Sequence, residues 1–293
     1  MGDICDGRVI IVTGAGGGLG REYALAFGAA GAKVVVNDIN AQSAQKTVVD
    51  IQNTGGQAIA NNQDITNYEQ SASIVSEAIA NFGDLHGVVN NAGICRDRMF
   101  ASMTEEEWDQ VIAVHLKGHF CISSHAVHYW RDQFKQGHKV DARIINTSSG
   151  AGLNGSIGQS NYAAAKGGIA SLTLNQAAEL RRYGITVNGL APAARTSMSE
   201  DAFADMMKKP EDGSFDHYDP SNVAPLVVWL GSAHSADCTG RLFEAVGGEI
   251  SLADGWRSTP PIDKGAKWQA DEIGGVVQEL MSRERPAQKV YGT

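Results

Sequence analysis

The residues that decide the fold are Val9-Ile10-Ile11-Val12, followed directly by Thr13-Gly14-Ala15-Gly16-Gly17-Gly18-Leu19-Gly20. An apolar, β-branched run of this length reads as a buried strand, and the alanine-rich stretch from Gly18 to Ala30 has helical spacing. Glycines between a strand and a helix let the backbone turn tightly and approach a phosphate, whose charge the helix N-terminus stabilises. Gly14, Gly16, Gly17, Gly18, Leu19 and Gly20 are therefore read as a pyrophosphate cradle. A merely flexible glycine loop is the competing reading.

Working outward, the same alternation recurs. Lys33 to Val36, Gly87 to Val89, Ile144 to Ile145 and Ile185 to Val187 read as buried strands. Ala41 to Thr54, Tyr68 to Phe82, Glu105 to Phe134 and Tyr162 to Tyr183 read as helices between them. Strand-helix alternation predicts an α/β fold with a doubly wound, mostly parallel sheet, helices on both faces and a cleft along the edge where the strands end. The polar segment from Ala193 to Pro220 has no clear period and is read as a lid over that cleft. No linker interrupts the pattern before about residue 256, so residues 1–257 are expected to form one domain and 258–293 a C-terminal extension, with one amphipathic helix from Asp271 to Met281.

Composition narrows the classes. With 293 residues, 43% hydrophobic and 19% charged, the chain can bury a substantial core. A net charge of -9 without a basic run argues against nucleic acid or an anionic membrane as partner. Cys5, Cys95, Cys121 and Cys238 form no CxxC pair and suit a reducing compartment. No export signal or run of transmembrane length is recognised, so the expected location is cytoplasmic and the expected membrane contact none.

At the end of the second predicted strand stands Asp38, at the distance a dinucleotide fold requires for a carboxylate on the ribose hydroxyls. Its charge would repel a 2'-phosphate, and the glycine turn holds no Arg or Lys to offset it, so NAD is expected over NADP. The bland reading is a turn or capping Asp.

These residues, with Asn90-Asn91-Ala92-Gly93 and with Ser149, Tyr162 and Lys166, resemble the short-chain dehydrogenase/reductase family over nearly the whole chain to Gly255. Tyr-x-x-x-Lys stands thirteen residues after the serine, as that family places it. The resemblance implies a single Rossmann-type domain. It also implies that Asp64 and Ile65 border the adenine, that Asn90 steadies the cofactor loop, and that Pro192 and the nearby Thr196 lie at the nicotinamide. Taken alone, Asp64 would be a helix cap and Asn90 a strand-end turn.

Tyr162 and Lys166 are one helical turn apart and project from one face. A phenol near pKa 10 is too weak a base at neutral pH, and positive charge from Lys166 and the oxidised nicotinamide is expected to favour its phenolate. Tyr162 is then expected to take the hydroxyl proton while hydride leaves the same carbon, with Ser149 hydrogen-bonding the developing carbonyl oxygen. By the resemblance, Lys166 also holds the ribose. Ser148 is read as pointing away. Where the family usually has Asn, the chain has His115, which is expected either to serve a proton relay to Lys166 or only to pack. His115, His119, His125 and His128 carry no HExxH pattern, and no metal site is expected.

Further segments are similar to the 3-hydroxyacyl-CoA dehydrogenase branch found in peroxisomal multifunctional enzymes of type 2, also known as 17β-hydroxysteroid dehydrogenases. They include Arg96-Asp97-Arg98, Glu107-Trp108-Asp109, Val114-His115-Leu116, Val223-Ala224-Pro225-Leu226 and Leu242-Phe243-Glu244. An acyl-CoA is therefore the expected substrate, with Arg96, Arg98, Lys208 or Lys209 as candidates for the coenzyme A phosphates. A hydroxysteroid, another small alcohol, an acyl-carrier-protein thioester, or a non-catalytic nucleotide-binding role stay open. The resemblance also implies a homotetramer or homodimer through the helices of His119 and Tyr162, where Ala163 to Ala165 and Gly167-Gly168 would allow close approach.

Overall fold

All five residues of β1 (Val9–Thr13) are buried, as a strand covered on both faces requires. Successive side chains point to opposite faces, so Ile10 and Val12 enter one apolar cluster and Val9 and Ile11 the other. The computed structural model describes residues 3–196, 207–253, 255, 258–283 and 289–291. Among these it places seven further strands: β2 (Lys33–Asn37), β3 (Gln57–Asn61), β4 (Gly87–Asn90), β5 (Ala142–Thr147), β6 (Ile185–Ala193), β7 (Leu242–Val246) and β8 (Glu249–Ala253). They form one sheet in the order β3-β2-β1-β4-β5-β6-β7-β8. Every pairing is parallel except β7 with β8.

Two helical layers cover the sheet. Tyr23 and Phe27 of α1 (Gly18–Ala29), Ile51 of α2 (Ala41–Asn53) and Val227 of α8 (Ala224–Gly231) fill one face. Ile74 of α3 (Tyr68–Phe82), Ile122 and Trp130 of α5 (Gly118–Lys135) and Leu180 of α7 (Ser160–Leu180) fill the other. The remaining helices are α4 (Glu105–Ile112), the short α6 (Gly150–Asn154) and α9 (Ile273–Arg283). This is the expected single-domain, doubly wound Rossmann-type α/β fold. The chain winds from β1 toward β3 on one side and restarts at β4 on the other, which opens a crevice at the strand ends between β1 and β4.

The structure departs from the sequence reading in informative places. β3 was not anticipated, because Gln57 and Asn61 give its run a polar outline. β7 and β8 were missed although Gly247-Gly248 lies between them, the two-residue signature of a hairpin, with Gly247 at φ +54. The long helix expected from Glu105 to Phe134 is two helices joined by a π-helical turn, Ala113–Lys117, which carries His115. The tail helix forms as α9, with none of its residues buried. Of the expected lid, residues 197–206 lie outside the described residues. Beside them the Arg195 guanidinium pairs with Asp216 and donates to the Met207 carbonyl at 2.7 Å.

Candidate active site

At the cofactor end of the crevice the glycines divide their work. A Cβ on Gly20 would lie 2.2 Å from the Gly14 carbonyl oxygen and 2.5 Å from Asn91 Nδ2, and one on Gly14 would meet Ala92. Gly14 and Gly20 therefore allow close internal packing. The Asn91 amide reinforces that junction by donating to the Thr13 and Gly14 carbonyls at 3.1 and 3.4 Å. Gly16 makes room for Asp38, whose carboxylate accepts from the Gly16 N–H and the Asn40 N–H, each at 2.9 Å. Gly17 and Gly18 face the open crevice, Gly18 at φ +51. The N-terminus of α1 has no side-chain cap and no acidic residue in its first turn. Its free N–H groups and partial positive charge fit a pyrophosphate, as the nicotinamide cofactor implied by the fold requires.

Other expected cofactor residues divide in the same way. Leu19, Ala92, Gly93, Pro192 and Thr196 line the crevice. Asn90 is buried beneath it, its amide donating to Ser123 Oγ and Asn146 Oδ1, each at 2.9 Å, so it braces β4 against α5 and β5. Asp64 and Ile65 do not line the crevice. The Asp64 carboxylate accepts from the Thr66 N–H at 2.8 Å, Asn67 caps α3, and Ile65 packs into the core with its end against Gly118.

The catalytic candidates meet at the ends of β5 and β6 in a crevice of about 490 Å³. Ser149 leaves β5 and caps α6, accepting from the Ala151 N–H at 3.2 Å. α6 lies directly on α7, because a Cβ on Gly152 would lie 2.5 Å from the Lys166 backbone. This contact brings Ser149 to the α7 face that carries Tyr162 and Lys166. Ser148 faces the other way, donating to the Lys166 carbonyl at 2.8 Å.

Burial governs the electrostatics of the side chains here. Burial pushes the Tyr162 hydroxyl up to about 12; a hydrogen bond with Ser149 pulls it down, while nearby Cys95 and Asp97 add to the rise. Burial also lowers the Lys166 ammonium to about 7. Its Nζ donates to the Thr147 carbonyl at 2.6 Å and stands 5.5 Å from the centre of the Tyr162 ring. The side chains alone thus hold Tyr162 as a phenol, because a buried lysine that readily loses its charge cannot offset the desolvation of a phenolate.

His115 sits edge-on to the Tyr162 ring, with centroids 5.1 Å apart. Its Nε2 lies 2.8 Å from the Ile94 carbonyl oxygen and 3.1 Å from the Ile94 nitrogen, and its Nδ1 is buried without a hydrogen-bond partner. Burial, helped by Lys166, lowers it to about 3. His115 is thus a neutral ring wedged between the Gly93 backbone and Tyr162. A relay that passes through an imidazolium would be opposed by this environment. His119 is fully buried behind it, and the described residues contain no group of His, Cys, Asp and Glu arranged to hold a metal.

Several crevice residues carry no sequence signal of their own: Cys95, Thr147, Gln159, Met207 and, from the far end of the chain, Tyr291. The candidates for coenzyme A phosphates fare unevenly. Arg98 is already paired with Glu107 at 2.8 Å, and Arg96 donates to Gln110 and to the Cys95 carbonyl. Lys208 and Lys209 are exposed beside the crevice residue Met207. The glycines expected to admit a partner helix are used inside the chain, Gly167 against Gly152 and Gly168 against Leu116. His119 likewise points inward.

Comparison with known proteins agrees with this geometry. Residues 8–207 match the family model for short chain dehydrogenases. Hydroxyacyl-CoA dehydrogenase ChsB1 of Mycobacterium tuberculosis is 40% identical over 98% of this chain and 92% of its own. The mouse peroxisomal multifunctional enzyme type 2 is 42% identical over 84% of this chain, which spans only 32% of that longer protein. The crystal structure of a short chain dehydrogenase from Mycobacterium avium superposes with a TM-score of 0.91 at 52% identity, covering 99% of this chain and 100% of that one. With the glycine cradle, the Ser149, Tyr162 and Lys166 cluster and the sheet order in agreement, the chain belongs to the short-chain dehydrogenase family and is an oxidoreductase acting on CH–OH groups.

Proposed function

We propose that the chain is an NAD-dependent 3-hydroxyacyl-CoA dehydrogenase. The observation that carries the cofactor choice is Asp38, held by two backbone N–H groups at the mouth of the glycine turn, where its charge suits two ribose hydroxyls and repels a 2'-phosphate. The substrate class is supported by the relatives, two of which are named for hydroxyacyl-CoA or multifunctional peroxisomal chemistry and match most of this chain. The whole multifunctional enzyme's activities are not carried over. We also propose cytoplasmic residence and a homotetramer or homodimer. Four free cysteines support the first, and the exposed Phe120, Phe134 and Leu174 on α5 and α7 support the second. No described helix is long and apolar enough to cross a membrane.

When bound, the nicotinamide supplies the hydride acceptor or donor and, oxidised, a positive charge. Tyr162 moves the substrate proton at its Oη: the phenol can donate to a ketone oxygen, and once added positive charge has favoured loss of its own proton to solvent, the phenolate can accept the proton of an alcohol. Ser149 Oγ holds the reacting oxygen beside it. Lys166, whose Nζ donates to the Thr147 carbonyl, would hold the cofactor's ribose. His115 fixes the Tyr162 ring from its edge.

The test is NADH formation by purified protein with a 3-hydroxyacyl-CoA, a hydroxysteroid and an acyl-carrier-protein thioester, with Tyr162→Phe as control. Thioester turnover that is lost in Tyr162→Phe supports the reading. Turnover of the steroid alone would keep the centre and overturn the substrate. Preference for NADP over NAD in the wild type would overturn the role given to Asp38.

A further inference from the structure

Residues 289–291 lie against the crevice. Tyr291 donates its backbone N–H to the Gly155 carbonyl at 3.2 Å and accepts from the Ile157 N–H at 3.0 Å, adding a short parallel bridge at Ser156. The loop it joins connects α6 to α7, and so connects Ser149 to Tyr162. On its other side that loop is held by Arg98, whose N–H donates to the Gly158 carbonyl at 2.7 Å. The segment over the substrate side of the crevice is thus braced from both flanks, by residues about 60 positions before it and more than 130 after it.

One glycine is fitted to this visitor. A Cβ on Gly150, the residue next to Ser149, would lie 2.6 Å from Tyr291 Oη and 2.9 Å from its Cε2. At Gly155 a Cβ would meet Val290 Cγ1 at an ordinary 3.4 Å, and glycine is required there by its φ of +80. No L-residue can occupy position 150 while the Tyr291 ring stays where it is. The ring rests against the backbone beside the catalytic serine, half-exposed, with part of its surface forming crevice wall.

We infer that Tyr291 is a specificity-determining residue: its ring forms the wall against which a bulky apolar group on the carbinol carbon packs, and the C-terminal strap exists to hold it there. The inference rests on the proposed thioester activity for its choice of substrates, but not for the strap itself. A long or ring-bearing acyl group offers such a wall far more apolar surface than the methyl group of a four-carbon 3-hydroxyacyl chain. The wall therefore selects by size. It acts on binding, because Tyr291 has no part in moving the proton or the hydride.

Kinetics of the full chain and Tyr291→Ala should be measured with a four-carbon and a ring-bearing 3-hydroxyacyl-CoA, together with NADH affinity by fluorescence. In Tyr291→Ala, KM for the bulky thioester rises about tenfold, equivalent to ~1.4 kcal/mol of lost contact. Its kcat, NADH affinity and KM for the short thioester change by less than about twofold. Gly150→Ala, which must displace the ring, raises the same KM, and its effect nearly vanishes in the Tyr291→Ala background because the two act as one contact. Equal changes for short and bulky substrates, or additive effects of the two substitutions, would overturn the size-selecting wall.

A second readout needs no turnover. In Tyr291→Pro, which removes the N–H given to Gly155, the Ile157 amide exchanges with deuterium at least about tenfold faster than in the wild type. Unchanged exchange would overturn the strap. Should the wild type turn over no thioester at all, the proposed substrate fails while this measurement still decides whether the strap stands.

Discussion

Two buried cations lie at opposite ends of β5, and they are treated in opposite ways. At the start of the strand Arg143, 1% exposed, is paired with Asp141 at 2.6 Å and donates to the Ala142, Ser232 and Ala233 carbonyls and to Ser235. Arg8 binds the same Asp141 at 2.7 Å. At the end of the strand Lys166, 2% exposed, has a carbonyl oxygen as its hydrogen-bond acceptor and, among the described residues, no carboxylate paired with it. Burial lowers the pKa at both sites; a carboxylate opposes it at the first, and at the second only the Cys95 thiol does. An arginine keeps its charge through such a shift, whereas this lysine is brought to about 7, where it can change protonation state. The closed network closes off the bottom of the sheet, and the open one gives the top its chemistry.

The largest expected effect tests the open end. Lys166→Met lowers turnover by at least ~10²-fold, while the melting temperature changes little, because an apolar side chain replaces a buried amine and water from the crevice can serve the Thr147 carbonyl. A fall in stability as large as that of a broken ion pair would make Lys166 structural and erase the contrast. The second test removes the counter-charge at the closed end: Asp141→Ala leaves Arg143 buried without its carboxylate and costs roughly 3 kcal/mol of stability in denaturant titration, with turnover per folded molecule intact. Loss of turnover without loss of stability would reverse the two assignments.

The effect that is smallest at neutral pH concerns the histidines beneath the crevice. Burial depresses His115 to about 3 and His119 well below its usual value, so below about pH 6.5 the unfolded chain takes up protons that the folded chain does not. Neither residue contributes to the pH dependence above that range, where both states are neutral. As pH falls toward 3, each removes up to ~1.4 kcal/mol of stability per pH unit. His119→Leu should therefore flatten the acid limb of a stability-against-pH curve. An unchanged slope would mean that His119 is protonated in the folded protein.

How much was legible follows from the range of each interaction. Local periodicity marked β1, β2 and the helices that follow them, because a strand buried on both faces must be apolar throughout and the helix packed on it must repeat near every fourth residue. The positions of Ser149, Tyr162 and Lys166 followed from the resemblance, and the structure brings the three together around one crevice. Their electrostatics did not follow. The sequence names Lys166 and the oxidised nicotinamide as the charges that favour the Tyr162 phenolate; burial, which depends on how α6 seats on α7, moves Tyr162 up and Lys166 down in the protein alone. Asp64, placed at the adenine by the resemblance, also accepts from the Thr66 N–H of its own turn.

Glycine illustrates the division most clearly. The sequence by itself determined that a turn between β1 and α1 needs glycines, that the sheet is wound by alternating strands and helices, and that the chemistry gathers where the strands end, since all three depend on backbone geometry and on residues close in the chain. Only the tertiary structure decided that Gly14 and Gly20 serve packing while Gly17 and Gly18 face the crevice, and that Gly150 leaves room for a ring from residue 291. Contacts between residues so distant in sequence leave no local pattern. They exist because a folded interior excludes overlap, and which atoms would overlap is known only once the chain is folded.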